Sequence, residues 1–301
     1  MPSEFVLIAN PTSGSQRAPM LATRVAKLLS AQSTVELKLT AARGDAFRFA
    51  AEACARGAVA VAGCGGDGTL QEIATALENS STAMGILPSG RCNDFAGALG
   101  LSKADTPECL AAVLLGNKRR AVDLGCMGSK RFLTVATLGF DSQISRFVET
   151  HKLWLKGTPA YMYGLACVLS GFRAPHVRLK GDFGTYEGRI LLVATGNTAR
   201  YGGAMHIVPG AQPDDGLFHL CVVGEISRLT VLRVLPMVLS GAHVTHPAVK
   251  MMSTRVLEIE TGDGAEWVCA DGESLGQTPC RLEVRAGALT VLVPNDGASI
   301  I

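Results

Sequence analysis

An apolar run at residues 58–62 leads into Gly65-Gly66-Asp67-Gly68-Thr69 and then into a segment with helical periodicity. Few chain geometries accept that order. Glycines let the backbone take positive φ and approach a ligand with no Cβ in the way. A helix opening after such a turn offers N–H groups without intrahelical partners and the positive end of its dipole. Strand, glycine turn and helix start together form a cradle for phosphate. Asp67 adds a carboxylate that can hold Mg²⁺ beside the phosphates. Taken alone, the five residues also read as a tight turn with an acidic tip.

The flanking chain repeats this pattern. Apolar runs at 5–9, 35–39, 58–62 and 84–87 alternate with helical periodicity at 20–29, 44–56, 69–77 and 106–115. Thr106 is a good N-cap there, with Pro107 in the first turn. Alternating strands and helices predict a Rossmann-like α/β domain with a parallel sheet covered on both faces. Ligands bind such sheets beyond the carboxyl ends of the strands. Three polar loops, opening at Asn10, Gly65 and Pro88, fall at that edge.

The pattern changes after Asp123. Strand-like runs follow at 131–138, 177–180, 188–195, 217–223, 255–260, 267–270, 281–284 and 289–293. Only 143–172 and 227–240 read as helical. This half is expected to be a mainly antiparallel β-sandwich. The predicted domains are 1–123 and 124–301, with a cleft between them, and the last strand is able to pack back on the first domain.

Composition narrows the function classes. The chain is 48% hydrophobic and 18% charged, enough apolar residue for substantial cores. A formal net charge of +2 gives no general attraction to nucleic acid. Nine scattered cysteines with no CxxC pair point to a reducing compartment, against a disulfide framework or a zinc site. The first ten residues turn polar too soon for a secretory signal. No apolar run reaches the ~18 residues of a membrane span. The longest, at 230–244, is broken by Arg233, Pro236 and Gly241. A cytoplasmic protein is expected.

Six stretches in order resemble the diacylglycerol kinase catalytic family, in its bacterial soluble lipid-kinase branch related to sphingosine and ceramide kinases. Asn10-Pro11-Thr12-Ser13-Gly14 is similar to the first nucleotide loop, and Thr40 with Gly44-Asp45 to the second nucleotide contact. Residues 65–72 resemble GGDGTxNE, with Gln71 for asparagine, and 85–96 resemble GxxPxGTxNDFA. Residues 197–220 resemble the NxxxxGGG…DDGxLD stretch, and Asp271-Gly272-Glu273 the late DGE. The resemblance covers nearly the whole chain. It implies a phosphofructokinase- or NAD-kinase-like nucleotide domain followed by the β-sandwich.

The resemblance also implies chemistry. ATP phosphates would lie against the Asn10 and Gly65 loops, with Gly66 and Gly68 in the cradle. Asp67 would hold the catalytic Mg²⁺, Asn93 would orient cleft or nucleotide, and Thr40 and Thr69 would add hydroxyls. Simple helix capping is the alternative for both threonines. Asp271 would be the base for a lipid hydroxyl, supported by Glu273; an ordinary Asp-Gly hairpin turn is the alternative. Asp215 with the carbonyls of Phe218 and Leu220 would bind a structural Mg²⁺, with Asp123 joining through water. A type I turn entering a strand is the alternative there.

Arg91 stands where the family has threonine. It could pair with a phosphate, fill the site or change nucleotide preference. Lipid is reached at a membrane surface, so peripheral contact with the inner face is expected. Lys152, Lys156, Arg173, Arg178 and Lys180 lie near Trp154, Leu155, Tyr161 and Tyr163, a mixture that suits an interface or an ordinary solvated helix face. Sheet edges that pair would make a homodimer. Two other functions share these features: a soluble-substrate kinase of the NAD-kinase type, and a non-catalytic nucleotide- or lipid-binding regulator.

Overall fold

The computed structural model describes residues 4–151, 158–203 and 205–295. The chain divides into two units, Met1–Leu124 with Ala286–Ile301, and Gly125–Arg285.

The first unit runs β1 (Glu4–Ala9), α1 (Ala18–Leu29), β2 (Thr34–Leu39), α2 (Asp45–Ala55), β3 (Ala60–Gly65), α3 (Asp67–Leu77), β4 (Ala83–Pro88), α4 (Asp94–Ala98) and α5 (Pro107–Gly116). The strand order is β4-β3-β1-β2, and every pair is parallel. β3 and β4 are buried along their whole length, as a sheet covered on both faces requires. α1 packs on α5 and α2 on α3. The buried face of α2 is Ala46, Ala50 and Ala53, small enough for close seating. Thr106 caps α5 through its Oγ1, which accepts the Cys109 N–H at 3.2 Å.

The second unit contains the end of β5 (Arg119–Met127), then β6 (Lys130–Phe132), β7 (Val135–Gly139), α6 (Phe140–Thr150), α7 (Thr158–Gly171), β8 (His176–Gly181), β9 (Gly184–Gly196), β10 (Phe218–Gly224), α8 (Arg228–Val234), β11 (Val249–Thr254), β12 (Val256–Thr261), β13 (Trp267–Ala270), β14 (Glu273–Gln277) and the start of β15 (Cys280–Leu292). Its strand pairs are antiparallel. One sheet runs β14-β13-β7-β9-β10-β11 and the other β9-β8-β12-β15. β9 is long enough to serve both. Between them Phe132 stacks on Phe218, centroids 5.6 Å apart, among Leu138, Leu179, Leu220 and Ile259.

The predicted strand 131–138 is broken at Leu133-Thr134, where the backbone N–H groups turn to a side-chain carboxylate instead of a ladder. The predicted strands 281–284 and 289–293 are one strand, β15, whose end pairs Val291 beside Met84 of β4 in the first unit. β5, β11 and β14 carry no strand signal that the sequence reading found. β11 reads VKMMST, in which apolar and polar residues do not alternate.

All nine cysteines are free thiols. Burial pushes the Cys64 thiol to about 11 and Cys221 to about 12, so neither supplies a thiolate nucleophile near neutral pH. His243 is 1% exposed, with Nε2 3.0 Å from the Ile207 carbonyl. Burial lowers its pKa against the opposing pull of that carbonyl. The unfolded chain therefore takes up more protons as pH falls below about 6.5, and stability drops with it. The urea midpoint is expected to fall between about pH 7.5 and pH 5.5. His243→Gln should flatten that part of the slope.

Candidate functional site

Three loops of the first unit converge at the end of β3, and the third meets the second at the carbonyl of Gly65. It accepts the N–H of Gly90 at 3.0 Å, that of Ser89 at 3.4 Å and the side-chain Nδ2 of Asn93 at 3.0 Å. The glycines are there because nothing larger fits. A Cβ on Gly90 would lie 2.4 Å from Gly66 Cα, and one on Gly14, at φ +60°, would lie 2.0 Å from the Ser89 carbonyl oxygen. One on Gly65 would strike the Thr69 side chain at 2.6 Å. Gly68 has open space around it, so its backbone faces no steric demand.

Asn10 ties the first loop to the second. Its N–H donates to the Cys64 carbonyl at 3.0 Å, and its Oδ1 accepts the N–H and hydroxyl of Thr12 at 3.0 and 2.8 Å. Such a turn holds itself in shape. Nδ2 reaches Thr69 Oγ1 at 3.4 Å, so Thr69 joins the loops instead of capping its own helix. Ser13 closes the turn through its N–H to the Asn10 carbonyl, 3.0 Å, next to Pro11. Thr40 extends the β1–β2 edge by donating its N–H to Ala9, 3.0 Å.

Asp67 stands in the first turn of α3, where the dipole favours negative charge. Its Oδ2 accepts the Asn93 N–H at 3.2 Å. Asn93 is 4% exposed in the left-handed conformation, and its Oδ1 has no hydrogen-bond partner among the described residues. An orphaned buried acceptor beside a carboxylate and a glycine cradle fits a bound group that brings donors. Mg²⁺ normally takes one or two carboxylates plus phosphate and water oxygens, and Asp67 matches that donor set. Arg91 is exposed, and its carbonyl accepts from Lys103 Nζ.

Glu72 has a role that its place in the motif does not announce. Its carboxylate accepts the N–H groups of Gly44, Ala46 and Phe47 at 2.9, 3.1 and 3.3 Å, capping α2 from another helix. Asp45 holds the same loop through Ala41 and Ala42. Glu72→Ala should cost about 1–2 kcal/mol by removing this cap, read as a lower urea midpoint at unchanged m-value.

In the second unit Asp271 and Gly272 both have positive φ, 51° and 83°, the signature of a two-residue hairpin turn joining β13 and β14. The Asp271 carboxylate does more than close that turn. It accepts the Leu133 N–H at 2.7 Å, the Thr134 N–H at 3.0 Å and the Thr134 hydroxyl at 2.5 Å. From the other side the buried Asn197 donates Nδ2 to the Leu133 carbonyl, 3.0 Å, and its N–H to Thr134, 2.8 Å. Two motifs distant in sequence thus clamp one short segment. Glu273 opens β14 opposite Ala270.

Of the residues expected at a structural metal, Asp215 has protein partners. Asp215 accepts the Leu217 N–H at 3.0 Å and lies 2.7 Å from His219 Nε2. Leu220 is paired on both sides, with Thr195 and Met252, and Phe218 pairs with Thr254. Asp123, buried in the first unit, accepts the Gly287 N–H at 2.7 Å. Among the described residues no three His, Cys, Asp or Glu side chains are placed to hold a metal.

The expected interfacial patch is only partly a surface. Lys152, Trp154, Leu155 and Lys156 lie outside the described residues. Tyr161 donates to the buried Asp141, which also accepts from Thr137. Burial, then the Asp141 charge, push that phenol well above its usual pKa, so it stays a donor. Arg178 and Lys180 face Glu260 and Glu258 across β8 and β12.

Residues 4–127 match the family model described as the diacylglycerol kinase catalytic domain. Residues 134–293 match that of the YegS C-terminal NAD kinase beta sandwich-like domain. A Pseudomonas syringae protein named "Probable lipid kinase YegS-like" is 34% identical over 87% of this chain and 85% of its own length. A Mycobacterium tuberculosis diacylglycerol kinase is 32% identical over 84% of this chain and 82% of its own. The crystal structure of a diacylglycerol kinase from Bacillus anthracis has a TM-score of 0.75 at 22% identity, covering 97% of each chain, a likeness of fold.

Proposed function

The chain belongs to the diacylglycerol kinase family, among the YegS-like lipid kinases, and on that premise we propose that it transfers the γ-phosphoryl group of ATP to a hydroxyl of a diacylglycerol-like lipid. The observation that carries this reading is the convergence of three loops around the Cys64 and Gly65 carbonyls, with Asp67 and the orphaned Asn93 Oδ1 beside them.

Phosphoryl transfer asks for positioning and charge neutralisation more than covalent chemistry. The Gly65 loop and the start of α3 would offer backbone N–H groups to the phosphates, with the Asn10 loop packed beside them, and Arg91 supports a cationic contact where the family has a hydroxyl. Asp67 would hold Mg²⁺, which neutralises charge on the phosphates when bound. Asp271 would take the proton of the lipid hydroxyl. The freed oxygen then bonds the γ-phosphorus as its bond to the bridging oxygen of ADP breaks. Glu273 would support the base. Among the described residues no helix is long and apolar enough to cross a membrane, and we place the enzyme at the membrane surface as a peripheral protein.

The test is transfer of radiolabel from γ-labelled ATP into a total lipid extract in mixed micelles with Mg²⁺. A labelled lipid is expected, and its identity names the acceptor. Label entering only a soluble acceptor such as NAD would overturn the lipid reading. Nucleotide binding with no transfer at all would leave a regulator.

A further inference from the structure

The longest apolar run of the sequence is placed on the surface of the second unit. α8 continues directly into a 3-10 turn, Leu235–Leu239. Val231, Val234 and Val238 form its buried side. The opposite side should then be polar, yet it carries Leu229, Leu232 and Leu239, exposed by 70%, 51% and 59%, with Pro236 between them. Large apolar residues on the outer side of a helix, interspersed with basic ones, suit an interface with lipid, and this helix has only one face in a core. Its charges are both positive, Arg228 and Arg233, and both are exposed. Arg228 also lines a cavity of about 500 Å³ with Arg173, over Phe172, Leu191 and Ile226.

We propose that this face is the membrane-contact surface of the enzyme: Leu229, Leu232 and Leu239 enter the headgroup boundary of an anionic phospholipid bilayer, and Arg228, Arg233 and Arg173 meet its phosphates. Its purpose rests on the lipid-kinase reading, since the acceptor lies in a bilayer. Apolar insertion plus attraction to anionic lipid is the established physics of interfacial helices. A second copy fits less well, because a two-fold interface sets a patch against itself and would bring the arginines of one copy to those of the other.

The experiment is sedimentation of the full chain with vesicles of phosphatidylcholine, with and without phosphatidylserine, in the absence of ATP. Neither lipid carries an alcohol acceptor, so failure of the kinase reading leaves this result untouched. Binding is expected to the phosphatidylserine vesicles. Leu229→Ser with Leu232→Ser should weaken it by about tenfold or more, as less apolar surface is buried. Arg228→Gln with Arg233→Gln should weaken it roughly 25-fold, at about fivefold per cation near an anionic surface. All four positions are exposed, and urea unfolding of each variant checks that it folds. Wild type that ignores both vesicles overturns the proposal. So do leucine variants that bind like wild type, or a wild-type dimer that the leucine changes dissolve while vesicle binding persists.

Discussion

Asp271→Ala is expected to lower kcat by ~10²–10⁴-fold, the contribution of a positioned base, while ATP affinity stays at the wild-type level. The complication is that Asp271 also anchors Leu133 and Thr134 through three hydrogen bonds. Truncation leaves two backbone donors without that acceptor, at a cost of about 1–3 kcal/mol for a buried group. Base and anchor separate in two further variants. Asp271→Asn keeps an acceptor oxygen but cannot take a proton, so kcat should fall as far as in the alanine variant while the urea midpoint falls less. Thr134→Val removes one bond of the anchor and leaves the carboxylate, so it should lose little kcat. Asn activity midway between wild type and alanine, with Thr134→Val equally impaired, would reduce Asp271 to an anchor.

Gly90→Ala is expected to lower kcat/KM for ATP by about 10²-fold, with a smaller loss of stability. The new Cβ would sit 2.4 Å from Gly66 Cα, and ordinary contact begins at 3.4 Å. Backbone stands on both sides, so the second and third loops must separate by about 1 Å, a displacement that can cost ~10²-fold in rate. Gly90→Ala also strains the Gly65 carbonyl, which gathers the donors of Ser89, Gly90 and Asn93. Gly97→Ala, in α4 and outside the cradle, is the control, because its Cβ meets nothing. Titration calorimetry with a non-hydrolysable ATP analogue reads both. Equal binding by the two alanine variants would mean that the Gly66–Gly90 approach does not shape the nucleotide site.

The order of elements was legible in the sequence because its signals are local. Apolar runs, glycine turns and the Thr106 cap act over a few residues, and they placed the loops at Asn10, Gly65 and Pro88 on one edge. The apolar stretch after Ser227 was equally visible. Tertiary structure decided which groups those signals would meet. Glu72 caps a helix whose first residues lie 28 positions away at Gly44, and nothing near Glu72 says so. Leu133 and Thr134 are held from 138 residues away by Asp271 and from 64 away by Asn197, which breaks a run that alternation alone reads as one strand. His219 takes the carboxylate of Asp215, a competition invisible in a motif written as spacing. Whether Leu229 and Leu232 face core or solvent also turns on what packs against α8. Periodicity reports the conformation a segment prefers; the partner of each polar or apolar group depends on what long-range packing brings beside it.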